Sequence, residues 1–434
     1  MNDSKRLAQD DVALDKDFAD AGIFLLDLPH LGRQSILNGI QAQYPSTTER
    51  LYFTGEVRAS AADSMYLSGC LKPDGTLDPD FGENGVTIGN FLVRTQSAGT
   101  SITVLPDGKI LLVGRVLGQS VPALARFTSD GTRDLEFGGD DGYVILRMPD
   151  AAEDSVQSAA SDMNESQDSL TSVVPLDDGK ILVVRTYVVT HQADTRAYLF
   201  LLNSNGSLDT SFNHKGYVQV IYPGADQTHV KLRSGFIDKD GTIVVAGSLQ
   251  PSALSGVPLM ARYTRDGQPD PRFGTGGFFT PAQDFSEFGQ LNSVIGQPNN
   301  RLLGIGATDD GQGLLISLEP DGKYNIQFNG AKPLLTQLGQ HITYWTAGAM
   351  QPDGKIVLCG AIKPADQTSP GAVARLLSDG KLDETFHGRG WASTQVNGTT
   401  IFNALTLQSD GKIVVAGVRY ADGNAQGVIL RYLS

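Results

Sequence analysis

The sequence predicts an all-β protein, a seven-bladed β-propeller of four-stranded antiparallel blades closed by N- and C-terminal segments that share one blade. Three observations lead there. A unit near sixty residues recurs seven times along the 434-residue chain, the mark of a repeat architecture. Each unit alternates short apolar strands with Asp-Gly turns. The last unit stops where the first residues of the chain resume it.

The clearest unit opens Leu105-Pro106-Asp107-Gly108-Lys109-Ile110-Leu111-Leu112-Val113-Gly114 and continues with Ala125-Arg126-Phe127, Asp130-Gly131, Asp134, Phe137 and Gly138. Its strands read as residues 101–105, 110–113, 123–127 and 143–147, apolar runs bounded by Gly, Pro, Asn and Asp. The first two meet at an Asp-Gly hairpin that recurs at Asp178-Gly179, Asp240-Gly241, Asp353-Gly354 and Asp410-Gly411. It decays to Asn299-Asn300 in the fifth unit and Thr48-Glu49 in the first. The Ala-Arg strand exits through a second fixed pattern: Asp74-Gly75, Asp78, Phe81, Gly82 in the first unit, Asp379-Gly380, Asp383, Phe386, Gly390 in the sixth. There the later Asp satisfies backbone donors, and the Phe is spaced to fall into a neighbouring sheet.

The seventh unit ends at Arg431-Tyr432-Leu433-Ser434, and Asp11, Leu14-Asp15, Phe18 and Gly22 carry the spacing of Asp379, Leu382-Asp383, Phe386 and Gly390. Residues 23–28 then supply the missing strand, so residues of about 406–434 plus 7–28 form a closing blade, and 1–434 reads as a single propeller domain. A ring has a reason to split a repeat between its ends, because the shared sheet leaves no open edge.

The motif Asp-Gly-Lys-Ile, three apolar residues and Gly, followed by Ala-Arg, Asp-Gly, Leu-Asp and Phe-Gly, resembles the bacterial delta-60 repeat over nearly the whole chain. This is a β-propeller-type repeat also described as a domain of unknown function. The resemblance implies a propeller and no general catalytic residues.

Four Arg residues of the Ala-Arg strand accompany a loop Asp, giving the expected structural pairs Arg126–Asp134, Arg262–Asp270, Arg375–Asp383 and, across the termini, Arg431–Asp15. The fifth unit has Ser317 and Asn325 at these two positions, and the first and third keep Asp78 and Asp209 without the Arg.

Composition bounds the function. Charged residues are 19% of the chain and the net charge is −14, with no dense Lys/Arg block, which argues against nucleic acid and anionic membranes as partners. Six histidines show no metal-ligand spacing, and the two cysteines, Cys70 and Cys359, occupy different repeat positions, so free thiols, no metal and no cofactor are expected. No apolar run of signal-peptide or membrane-spanning length occurs. The expectation is a monomer resident in the cytoplasm, with export lacking a cleaved signal as the alternative.

Antiparallel strands place the Asp-Gly hairpins and the Ala-Arg exits on one face of the ring and the other connections on the opposite face. The second face collects what varies between units: the acidic, Ser-rich stretch 149–170, the stretches 185–196 with Tyr187 and His191, 217–233 with Tyr222 and His229, 248–257, 339–345 with His341, Tyr344 and Trp345, and 363–371. Arg33, Arg58, Arg94 and Arg419 beside Tyr420 map there too. Aromatics beside Arg suit protein hot spots or sugar faces. The candidate ligand-binding residues are therefore Tyr344, Trp345, His341, Tyr222, His229, Tyr187, Arg94 and Tyr420. No nucleophile elbow or phosphate loop is present, and no catalytic residue stands out. The first functional reading is a non-enzymatic scaffold that binds a protein or extended ligand at the channel mouth. The second is a carbohydrate-active propeller, lectin or glycoside hydrolase, with carboxylates and aromatics over the channel.

Overall fold

The computed structural model describes residues 13–28, 34–43, 49–60, 63–117, 121–139, 141–149, 171–188, 195–224, 230–252, 255–281, 288–364 and 368–434. They form seven four-stranded sheets in which every neighbouring pair of strands is antiparallel. Within a blade the chain runs from the innermost strand outward. Blade two, for example, is Ser97–Val104, Ile110–Val116, Val121–Phe127 and Tyr143–Ile145. Each inner strand packs on the inner strand of the next blade, from Gln34–Ala42 of blade one to Thr399–Leu407 of blade seven and back again. The seven sheets are thus blades of a closed propeller around a central channel. Helix is confined, among the described residues, to three single turns.

Closure runs through the two ends of the chain. Blade seven consists of Thr399–Leu407, Ile413–Ala421, Asn424–Tyr432 and, as its outer strand, Ile23–Leu25. Ile23 pairs with Leu430 and Leu25 with Val428, and Leu14 bridges Tyr432. The blade begins at Thr399, ahead of the boundary read at residue 406.

The repeated motif is a set of contacts between blades. The Asp-Gly hairpin closes as a three-residue loop: Gly108 N donates to Leu105 O at 2.9 Å, Leu105 N to Lys109 O at 2.8 Å, and Gly108 adopts φ 81°, which only glycine enters freely. In the fifth unit Asn299 and Asn300 both take left-handed φ, 64° and 57°, so the substitution keeps the turn with the next most tolerant residue. The glycine that ends the motif has a different reason. The inner strands of six blades carry a β-bulge, which presses a carbonyl against the second strand. A Cβ at Gly55, Gly247, Gly306, Gly360 or Gly417 would stand 1.8 to 1.9 Å from that oxygen. Blade three pairs without a bulge and holds Arg185 at the same position.

The Phe of each exit loop leaves its own sheet. Phe137 is fully buried against Ile181, Val183 and Phe200 of the following blade. Gly138 N bonds Asn205 O at 2.9 Å, and a Cβ on Gly206 would meet the Phe137 ring at 3.0 Å. The same contact joins the chain ends to blade one: Ala19 N bonds Asp74 O at 2.7 Å and Gly75 lies on Phe18.

The Arg of the third strand completes this clasp. Arg126, Arg262, Arg375 and Arg431 lie 2.6, 2.9, 2.8 and 2.9 Å from Asp134, Asp270, Asp383 and Asp15. Each guanidinium also sits 4.4 to 5.0 Å from the centre of its own Phe ring. Arg126, Arg262 and Arg431 further donate to Ser204 O, Pro320 O and Pro73 O of the next blade. The cation that follows the hairpin also reaches this Asp, as Lys109, Lys355 and Lys412 do beside the Arg at 2.8, 3.2 and 3.2 Å, and where the Arg is missing it keeps the contact: Arg50 reaches Asp78 and Lys180 reaches Asp209, each at 2.8 Å. In blade five a neutral bond from Asn325 to Ser317 takes over at 3.1 Å.

Candidate functional site

The two faces differ in how their charges are used. On the motif-bearing face the carboxylates are committed. The bond from Lys180 and the hydroxyl of Ser211 hold Asp209 down to about 2, and the Arg272 guanidinium holds Asp270 to about 2. A cleft of about 840 Å³ opens on this face between blades three and four. Four of its charged groups, Asp178, Asp209, Lys180 and Arg265, already pair with one another.

On the opposite face the candidate residues separate into groups. Tyr344, on the inner strand Ile342–Met350, is 40% exposed, and Tyr420, at the end of the second strand of blade seven, is 43% exposed. Arg94 is exposed, with φ 61°, in the connection between blades one and two, beside Val93. His341 is half-buried next to the inner strand, and Tyr222 packs its ring 5.6 Å from Phe278.

Two expectations are corrected. Trp345 is 1% exposed, wedged between blades with its indole N–H donating to Thr336 Oγ1 at 2.9 Å. Strand alternation turns it inward because Tyr344 faces out. Tyr187 is buried among Tyr198 and Phe200 and donates its hydroxyl to Leu146 O at 2.8 Å, and burial pushes its phenol up. Both are core residues. His229 and His191 lie outside the described residues.

One group draws residues from both chain ends. Glu56 is buried, accepts Arg58 Nη2 at 2.6 Å and Ser64 Oγ at 3.2 Å, and lies close enough to Tyr420 for burial and its charge to raise that phenol. Arg419 donates twice to Gln426, at 2.9 and 2.6 Å. Glu56 was legible as a lone acid in the apolar run 51–57, but its partners were not.

The mouth of the channel carries a polar collar. The extra residues of the six bulges are Asn38, Thr100, Arg233, Asn292, Thr346 and Asn403. Asn38 donates to Gly99 O, Asn292 to Trp345 O, Thr346 to Phe402 O and Asn403 to Leu37 O, at 2.7 to 2.9 Å, each from one blade to the next. Among the described residues of the seven inner strands there is no carboxylate. The formal charges there are Lys231 and Arg233. No group of three or more His, Cys, Asp or Glu fit to hold a metal occurs among the described residues, and no helix there is long and apolar enough to cross a membrane.

Fold and collar together define a seven-bladed β-propeller locked by its own termini. Five of its repeats, residues 105–137, 176–212, 239–273, 351–386 and 408–434, match the family model described as a domain of unknown function (DUF5122) beta-propeller. No curated protein matches it in sequence. Solved structures with a similar course include the extracellular domains 1–2 of Drosophila Semaphorin 1a, at 11% identity and TM-score 0.45, over 92% of this chain and 87% of that one. They also include the α-L-arabinofuranosidase Arb93A of Fusarium graminearum, at 9% and 0.43, over 76% and 91%. A PL25 ulvan lyase follows at 8% and 0.42, over 74% and 80%. Likenesses this distant carry no argument about activity.

Proposed function

We propose that the protein is a non-enzymatic binding scaffold that takes a protein or glycan ligand across the variable face at the mouth of its channel. The observation that supports this most is where the exposed aromatics fall. Phe288, Tyr344 and Tyr420, 49%, 40% and 43% exposed, all belong to the variable face, while the exposed large apolar residues of the exit loops opposite are aliphatic, such as Leu135, Leu208 and Leu382. Amphipathic rings on a rigid ring of blades are the usual anchors of a recognition surface. The carbohydrate-active reading is weaker. Glycoside hydrolysis uses two facing carboxylates, whereas the inner strands offer none and Glu56 is engaged by Arg58. A monomer fits the short outer strands, two to four residues in each blade, which leave little edge for pairing.

The test replaces Tyr344→Ala and Tyr420→Ala together and measures capture of glycans and proteins alongside thermal melting. Capture should fall while the melting temperature stays within a few degrees. A collapse of stability would show both rings to be core, and unchanged capture would put the ligand elsewhere.

A further inference from the structure

The clasp between blades has four parts: the exit-loop Asp, its Phe, the cation that follows the hairpin and the third-strand Arg. One carboxylate oxygen takes both cations. Asp134 Oδ2 lies 2.6 Å from Arg126 Nε and 2.8 Å from Lys109 Nζ, and Asp383 and Asp15 are shared in the same way. Blade three keeps three of the parts. Asp209 is 8% exposed with Lys180 Nζ 2.8 Å away, and Phe212 is buried in the core shared with blade four. Leu201 stands at the Arg position. Asp209 N donates to Leu201 O as Asp134 N donates to Arg126 O, at 2.8 and 2.9 Å, and Leu201 pairs with Leu182 as Arg126 pairs with Leu111. The other blades without this Arg differ. Blade one offers the guanidinium of Arg50 to Asp78, and blade five has the neutral Asn325 in place of the acid.

Leucine is too short to reach the carboxylate and the next blade together, and the cleft of about 840 Å³ opens at that point. Its lining includes Lys180, Leu201, Asp209 and Phe212 of blade three and Arg265 and Asp266 of blade four. Arg265 holds the place in its turn that Ser204 and Pro320 hold in theirs, and those two carbonyls accept Arg126 and Arg262. The carboxylate, the ring and the turn that seat a guanidinium elsewhere thus border one cleft. Lys180 does not close it, since Lys109 leaves Arg126 its place on Asp134. Nor does Arg265, whose side chain is 76% exposed and lies 3.8 Å from Asp178. Six Asp against three basic side chains line the cleft, so its field favours a cation. A carboxylate beside an aromatic ring suits a guanidinium in particular.

We propose that this cleft, on the face opposite the exposed aromatics, is a socket for an arginine side chain of a partner protein, which supplies the guanidinium that blade three lacks. Titration calorimetry at low ionic strength tests it with the peptide acetyl-Gly-Arg-Gly-amide, its Lys and citrulline counterparts, and ethylguanidine. The Arg peptide should bind at one site per chain, more weakly with added salt. It should bind about tenfold or more tighter than the Lys peptide, and the uncharged citrulline peptide should not bind. Leu201→Arg should abolish binding by filling the socket from within. Asp209→Asn should weaken it about tenfold or more, which keeps the test open if Leu201→Arg fails to fold. A melting curve for each variant separates misfolding from lost binding. Capture of the Arg peptide by folded Leu201→Arg, or undiminished capture by folded Asp209→Asn, would overturn the proposal. So would no binding, or equal binding of the citrulline peptide. Ethylguanidine binding as tightly as the peptide would assign a small guanidine ligand and overturn the partner assignment. The reading of Tyr344 and Tyr420 concerns the other face and stands on its own test.

Discussion

A few residues at fixed spacing do several jobs at once. Arg431 neutralises Asp15, stacks 4.4 Å from the centre of Phe18 and donates to Pro73 O of blade one. Arg431→Met should therefore destabilise the ring by about 3 kcal/mol in urea unfolding, the scale of breaking a buried pair, with Lys412, 3.2 Å from Asp15, limiting the loss. An unchanged midpoint would mean that the clasp adds nothing to closure. The paired carboxylates also set an acid limit. Asp209, Asp270 and Asp383 are held to about 2 in the folded chain, below the roughly 3.9 of an unfolded Asp. A lowered folded value means stability that is complete above about pH 4 and lost as pH falls towards 2. Melting temperature should decline through that window, and Asp209→Asn should flatten the decline. An equally steep curve in the variant would assign the acid sensitivity elsewhere.

At the scale of elements, strands and their order were legible because turn glycines and apolar runs repeat many times. The register was not. The β-bulges of the inner strands leave no mark in composition, although their consequence does: the glycine ending Gly114, Gly247, Gly306, Gly360 and Gly417 is required by the carbonyl that a bulge pushes forward. Gly417→Ala should cost about 1–3 kcal/mol as overpacking, whereas Gly354→Ala, which meets no neighbouring atom, should cost less and only through its positive φ. Comparable losses would remove the bulge as the reason for the motif. The site was less legible for the same physical cause. Trp345 and Tyr344 are adjacent and chemically alike as candidates, and only the face of the strand, one residue apart, makes one an inter-blade wedge and the other an exposed ring. The part of the hairpin cation was also hidden: Arg50 in blade one and Lys180 in blade three hold the Asp where no third-strand Arg stands, at the position from which Lys109, Lys355 and Lys412 share it elsewhere.

At the scale of the molecule, closure decides how the ring can fail. Between most blades a breach separates side chains and a few backbone bonds, but at blade seven it must also unzip a β-sheet. The N-terminal segment binds in two directions, because its strand completes blade seven while Phe18 and Ala19 engage Gly75 and Asp74 of blade one. Deleting residues 1–25 removes both attachments and should lower the melting temperature by at least about 10 °C, the equivalent of several lost core contacts. Deleting residues 1–12 alone keeps the strand, Asp15 and Phe18, and should leave most of the stability in place. A synthetic peptide of residues 13–28 added to the longer truncation should restore melting in a concentration-dependent way, since a ligand that binds the folded ring stabilises it by mass action. Phe18→Ala in that peptide should weaken the rescue sharply, as loss of a buried ring costs about 3–5 kcal/mol. If the two truncations melt together, or the peptide rescues nothing, the ring is held by inter-blade packing alone and the shared blade is only a seam.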